Sequence, residues 1–120
     1  MIRSCNYLVL VTETLIACDI AQIIAEFDTT AKVICAKSVA EAGDAVAALD
    51  SIEIAFIAGR PSSFGQTRLH SDLIHRGARI VMLGVEAENS GPTEIFDVLA
   101  MPFDTDAVLA KLRAGHTIIG

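Results

Sequence analysis

The chain has 120 residues, of which 52% are hydrophobic and only 5% aromatic, and its formal net charge is −6. That length suits one domain with one aliphatic core and leaves no room for a second, while the acidic balance argues against a phosphate-binding surface and so against a nucleic-acid partner. Cys5, Cys18 and Cys35 form no Cys-x-x-Cys pair, so neither a disulfide framework nor a zinc site is indicated. No metal or cofactor is expected, and reduced thiols in a cytoplasm are the simple reading.

Tyr7 to Val11 is a short unbroken apolar run, the pattern of a strand buried on both faces. It is too short for the core of a signal peptide, and no run approaches the roughly 18–20 apolar residues of a membrane span. A soluble, cytoplasmic protein without a membrane partner is the expectation. Ile16, Ile20, Ile23, Ile24 and Phe27 then recur at helical spacing with Asp19, Gln22 and Glu26 opposite, which predicts an amphipathic helix.

Residues 31–36 (AKVICA) form a second strand, and residues 38–49 a helix with Ser38 as N-cap and Glu41 completing a capping box. Ile52 to Ala58 is the third strand, followed by the loop Arg60-Pro61-Ser62-Ser63. From Gly65 to Arg76 a third helix turns Leu69, Leu73 and Ile74 inward, and Gly77 ends it. Arg79 to Gly84 is the fourth strand. A polar segment containing Gly and Pro follows, with a short helical possibility at residues 93–97 (TEIFD), and Val98 to Met101 is the fifth strand, stopped by Pro102. Asp104 or Thr105 caps a last helix that buries Val108, Leu109 and Leu112. Its acids, Asp104 and Asp106, precede its bases, Lys111 and Arg113, as the helix dipole favours. Strands alternating with helices across short loops predict a doubly wound α/β sandwich with parallel strands, one domain over residues 1–120.

Three stretches, in order and at fitting separations, make this chain similar to a response-regulator receiver domain of bacterial two-component signalling. YLVLVTETLIACDIAQIIAEF resembles that family's first strand and helix, EIAFIAGRP its third strand, and FDVLAMPFDTDAVLAKL its fifth strand and last helix. The resemblance implies a flavodoxin-like five-stranded parallel sheet of order 2-1-3-4-5 with helices on both faces. Only 16 residues separate Gly84 from Met101, so the fourth helix is expected to be shortened.

The positions that carry the family's chemistry hold other residues here. The acidic pair falls on Val11 and Thr12 with Glu13 following, or on Thr12 and Glu13 after a slip of one. The phosphoacceptor falls on Ala58, the Thr or Ser at the end of strand four on Gly84, and the lysine before proline on Met101. A methyl group cannot attack phosphorus, one glutamate is too few to hold magnesium, and methionine cannot neutralise a transferred phosphoryl group. A degenerate pseudo-receiver is expected, with no catalytic residue and its pocket at Val11, Thr12, Glu13, Ala58, Gly59, Arg60, Gly84, Met101 and Pro102.

Other candidates are open to two readings each. Glu13 and Arg60 either pair across the emptied pocket or stand as solvated loop charges. Arg60, Arg68, Arg76 and Arg79 form a basic zone that either meets an anion or acidic partner or lies along a solvated helix face. His70 and His75 are poorly spaced to share a metal, and His70 is expected at the core edge. Ala17, Cys18, Ala21 and Ala25 sit opposite the isoleucine stripe, either as a close-approach interface or as good helix formers. Cys18 should be an exposed thiol and Cys35 inert packing.

The expected function is a phosphorylation-independent receiver-like domain acting by protein contact, as a homodimer or on a signalling kinase, regulator or effector. Its candidate contact residues are Ala17, Cys18, Ala21 and Ala25, and Val98, Met101, Phe103, Lys111 and Arg113 in the last strand and helix. The alternative is a small-molecule or anion-sensing module that uses the vacated pocket. An enzyme is not expected, since no P-loop, Gly-x-Gly-x-x-Gly motif or nucleophile-His-acid set is present.

Overall fold

A computed structural model of the chain describes residues 6–59, 64–84, 96–99 and 104–114. In chain order its elements are β1 (Asn6–Leu10), α1 (Thr14–Phe27), β2 (Lys32–Ala36), α2 (Val39–Ala47), β3 (Ile54–Ala58), α3 (Arg68–His75), β4 (Arg79–Leu83), β5 (Phe96–Leu99) and α4 (Thr105–Ala114). All strand pairs are parallel, in the order β2-β1-β3-β4-β5, the flavodoxin-like arrangement. Among the described residues, no helix is long and apolar enough to cross a membrane.

Side-chain alternation along the strands sorts the apolar residues into two cores. Leu8, Leu10, Ala55, Ile57, Ile80 and Met82 meet Ala42 and Val46 of α2 and Leu69 and Leu73 of α3. Tyr7, Val9, Ile54, Phe56, Val81 and Leu83 meet Ile20 and Ile24 of α1 and Val108 and Leu112 of α4. Because both faces are covered, the central strands β1, β3 and β4 read as continuous apolar runs rather than alternating ones. Burying each large aliphatic side chain contributes about 1.5–3 kcal/mol.

Local signals set the helix ends. Ser38 Oγ accepts the Glu41 amide at 3.1 Å, Thr67 Oγ1 accepts the His70 amide at 3.2 Å, and Asp104 Oδ1 accepts the Ala107 amide at 2.8 Å, so Asp104 and not Thr105 caps the last helix. Helix α3 stops in a Schellman turn. There the Gly77 amide donates to Ile74 O and the Ala78 amide to Leu73 O, both at 3.0 Å.

The amino edge of the sheet is stitched by polar groups. Asn6 Nδ2 donates to Ser51 O at 2.9 Å, Arg76 Nε to Leu49 O at 2.8 Å, and an Arg79 guanidinium N–H to Lys111 O at 2.8 Å. Asp97 on β5 pairs with Lys111 at 2.9 Å and with Arg79 at 3.5 Å, tying β4, β5 and α4 together.

Several expectations change. Phe96 and Asp97 belong to β5, which begins two residues before the expected Val98. The apolar pattern breaks at Asp97, whose charge is met by Lys111 and Arg79. Helix α3 begins at Arg68 rather than Gly65, and Ile74 is 47% exposed because so short a helix buries only the Leu69/Leu73 stripe. Cys35 is exposed rather than packed, because β2 is an edge strand with open alternate positions. Ala17 is 8% exposed and belongs to the core, since it faces the sheet one turn before Ile20 and Ile24. The expected shortened fourth helix, Cys5, Arg60, the Met101-Pro102-Phe103 segment and His116 lie outside the described residues.

Candidate functional site

In an open parallel sheet, ligands are held where loops leave the carboxyl ends of the strands. Here β1 leads to buried Val11 and then to exposed Thr12 and Glu13, β3 ends in exposed Ala58 and Gly59, and β4 ends at half-buried Gly84. The fold therefore brings Val11, Thr12, Glu13, Ala58, Gly59 and Gly84, the described members of the expected pocket, to one edge.

Two glycines close the centre of that edge. The Gly59 amide donates to Leu83 O at 3.1 Å, which keeps β3 and β4 paired one residue past Ala58. Gly59 has φ +149° and Gly84 φ +122°, a region open to glycine and costly for other residues. A Cβ added at Gly84 would stand 3.9 Å from the Gly59 nitrogen, so backbone conformation rather than crowding selects glycine there.

The chemistry of this edge is sparse. Ala58 offers only a methyl group, which cannot act as a nucleophile. Glu13 sits at the N-cap position of α1 without a side-chain capping bond and is exposed to solvent. Among the described residues, no three His, Cys, Asp or Glu side chains gather closely enough to hold a metal ion. The Glu13–Arg60 pairing falls outside the described residues, as do Met101 and Pro102.

Beside Ala58 opens a cavity of about 190 Å³ lined by Leu10, Val39, Ile57, Ala58, Gly59, Phe64 and Thr67. Leu10, Ile57 and Phe64 are nearly inaccessible and form its floor, while Val39, the first residue of α2, is 46% exposed at its rim. Thr67 is tied inward: its hydroxyl donates to Phe64 O at 2.7 Å and accepts the His70 amide. The Phe64 and His70 rings meet edge to face at 5.7 Å, which gives His70 its core-edge place. Val39, Phe64 and Thr67 carry no sequence signal for this role, because only the packing of α2 and the turn before α3 onto the sheet brings them beside Ala58.

The interface candidates separate. Cys18 and Ala25 on α1 are exposed and Ala21 is half-buried, whereas Ala17 is covered by the sheet. Cys35 has the same strand parity as Val33 and so looks toward α1; partial burial, then the neighbouring Cys18, push its thiol above the ordinary range. Val98 packs against the core on the α2 and α3 side. Lys111 is held by Asp97, and Arg113 is exposed.

The basic zone is not one continuous patch. Arg76 and Arg79 are engaged with backbone carbonyls and only Arg68, among its described members, is exposed. On the other face a groove of about 400 Å³ between α1 and α4 is lined by Asp19, Gln22, Ile23, Glu26, Asp104 and Thr105, whose carboxylates would repel a polyphosphate. Comparison with protein-family profiles, curated proteins and solved structures finds no match to this chain.

Proposed function

We propose that this chain is a receiver-like module of cytoplasmic two-component signalling that has left the aspartyl-phosphate cycle and acts by protein contact. The observation that supports this reading best is Ala58 at the carboxyl end of the central strand of a 2-1-3-4-5 parallel sheet. The strand that would present a phosphoacceptor presents a methyl group, and Gly84 stands where a hydroxyl would help hold the phosphoryl group. The module is not an enzyme and binds neither nucleic acid nor membrane. It pairs with a second copy, or with a signalling kinase, regulator or effector, through the Cys18, Ala21 and Ala25 side of α1.

One experiment tests both halves of the proposal. The complex formed by wild type, followed by sedimentation equilibrium or co-purification, should be indifferent to acetyl phosphate with magnesium and lost in Ala21→Arg, with helical circular dichroism retained. Amide signals of Thr12, Gly59 and Gly84 should not move on adding beryllium fluoride, and Ala58→Asp alone should take no phosphate label. Saturable shifts at those amides, or robust labelling of Ala58→Asp, would refute the account.

The second reading, sensing of a small molecule or anion by the vacated pocket, is favoured by the cavity beside Ala58. Its anion form is weakened by the Gly59 amide, which already serves Leu83.

A further inference from the structure

We infer that the cavity beside Ala58 is a binding site for a small uncharged apolar molecule, of the size of benzene to indole. Three observations carry this. First, its floor of Leu10, Ile57 and Phe64 is apolar, and Ala58 and Val39 extend that character to the rim. Among the described lining residues, no side chain is charged.

Second, two polar groups at its described wall, the Thr67 hydroxyl and the Gly59 amide, are already used. The Thr67 hydroxyl both donates, to Phe64 O, and accepts, from the His70 amide, and the Gly59 amide donates to Leu83 O. A phosphate or carboxylate entering here would shed water without gaining these donors, which is strongly unfavourable. An uncharged apolar molecule loses little hydration and covers apolar surface that now faces solvent.

Third, the size fits. The cavity measures about 190 Å³, and an apolar protein cavity of about 150 Å³ lined by Leu, Ile and Phe is enough to take up benzene. The position adds consequence: an occupant would touch the end of β3, the start of α2 and the turn before α3 together. It would thus link the two helices of that face to the strand end where a receiver does its chemistry.

The test uses the intact chain and indole as probe, followed by amide and methyl NMR. Saturable shifts are expected at Gly59, Thr67 and the methyls of Leu10, Val39 and Ile57, with no effect at those positions from benzoate or inorganic phosphate. Val39→Phe and Ala58→Leu each place bulk at the exposed rim, and each should weaken indole binding at least tenfold while leaving circular dichroism unchanged. The inference is overturned if indole produces only linear shifts spread over the molecule up to its solubility limit. It is equally overturned if both variants bind as wild type does, or if phosphate competes with indole. It extends the ligand-sensing reading and stands apart from protein contact, because loss of the complex in Ala21→Arg reports on α1 while indole reports on the α2 and α3 face.

Discussion

The two ends of the sheet are built on different principles. At the amino edge, Asn6, Arg76, Arg79 and Asp97 spend their side chains on carbonyls and partners of neighbouring elements, including a bridge from Asp97 to both Arg79 and Lys111. At the carboxyl edge the described side chains are mostly small or apolar, and the Gly59 amide extends the β3–β4 pairing one residue past Ala58. Among the described residues, polar side chains at the amino edge hold elements together, whereas few stand at the carboxyl edge. The two cores lie below the carboxyl edge, on either face, so the scaffold does not depend on the side chains there.

The largest effect should come from the carboxyl edge, through backbone conformation. Gly59→Ala or Gly84→Ala forces a side chain into a positive-φ region and should cost about 1–3 kcal/mol in chemical denaturation. A neutral result at both positions would show that the junction is not held by glycine and would remove one side of the comparison.

At the opposite edge, Asp97→Ala should cost less, about 1 kcal/mol, because the three charges are each partly solvated and surface pairs contribute little. High salt should shrink the difference between Asp97→Ala and wild type, since exposed charges are screened. A loss as large as that of a buried network would mean that the amino edge carries more of the fold than its exposure indicates.

The smallest effect lies at the side, on edge strand β2. Alkylation of Cys35 should reach its half-maximal rate above the ordinary thiol pH of about 8.5, and Cys18→Ala should lower that midpoint only in part, because burial is the larger cause. With a raised folded-state pKa, the thiol's contribution to stability is whole below the unfolded thiol pKa and fades as pH rises through the folded value. A midpoint at or below the ordinary range would contradict the arrangement of the two thiols.

The sequence was most informative where burial is two-sided. β1, β3 and β4 announce themselves as apolar runs because helices cover both faces, and Ser38, Gly77 and Asp104 mark helix ends through local hydrogen bonds that need no tertiary knowledge. It was least informative at the edges. Asp97 interrupts the pattern of β5 because its compensation comes from Arg79, eighteen residues earlier, and Lys111, fourteen later. Cys35 reads as core until β2 is known to be an edge strand, and Ile74 until α3 is known to be two turns long. Of the candidate site, the placement of Ala58 and Gly84 at the carboxyl ends of β3 and β4 was legible, because the strands that carry them are apolar runs. The cavity was not, because Val39, Phe64 and Thr67 meet β3 only after α2 and α3 have packed.

The sorting of side chains by strand parity has one more consequence. The sheet separates an α2–α3 compartment from an α1–α4 compartment, and neighbouring residues such as Phe56 and Ile57 belong to different ones. Substitutions in separate compartments share few neighbours, so their energetic effects should sum, whereas substitutions within one should interfere. A change in the α2–α3 compartment, which holds the cavity at its upper end, should therefore leave the α1 surface largely undisturbed, with one layer of backbone acting as a partition between them.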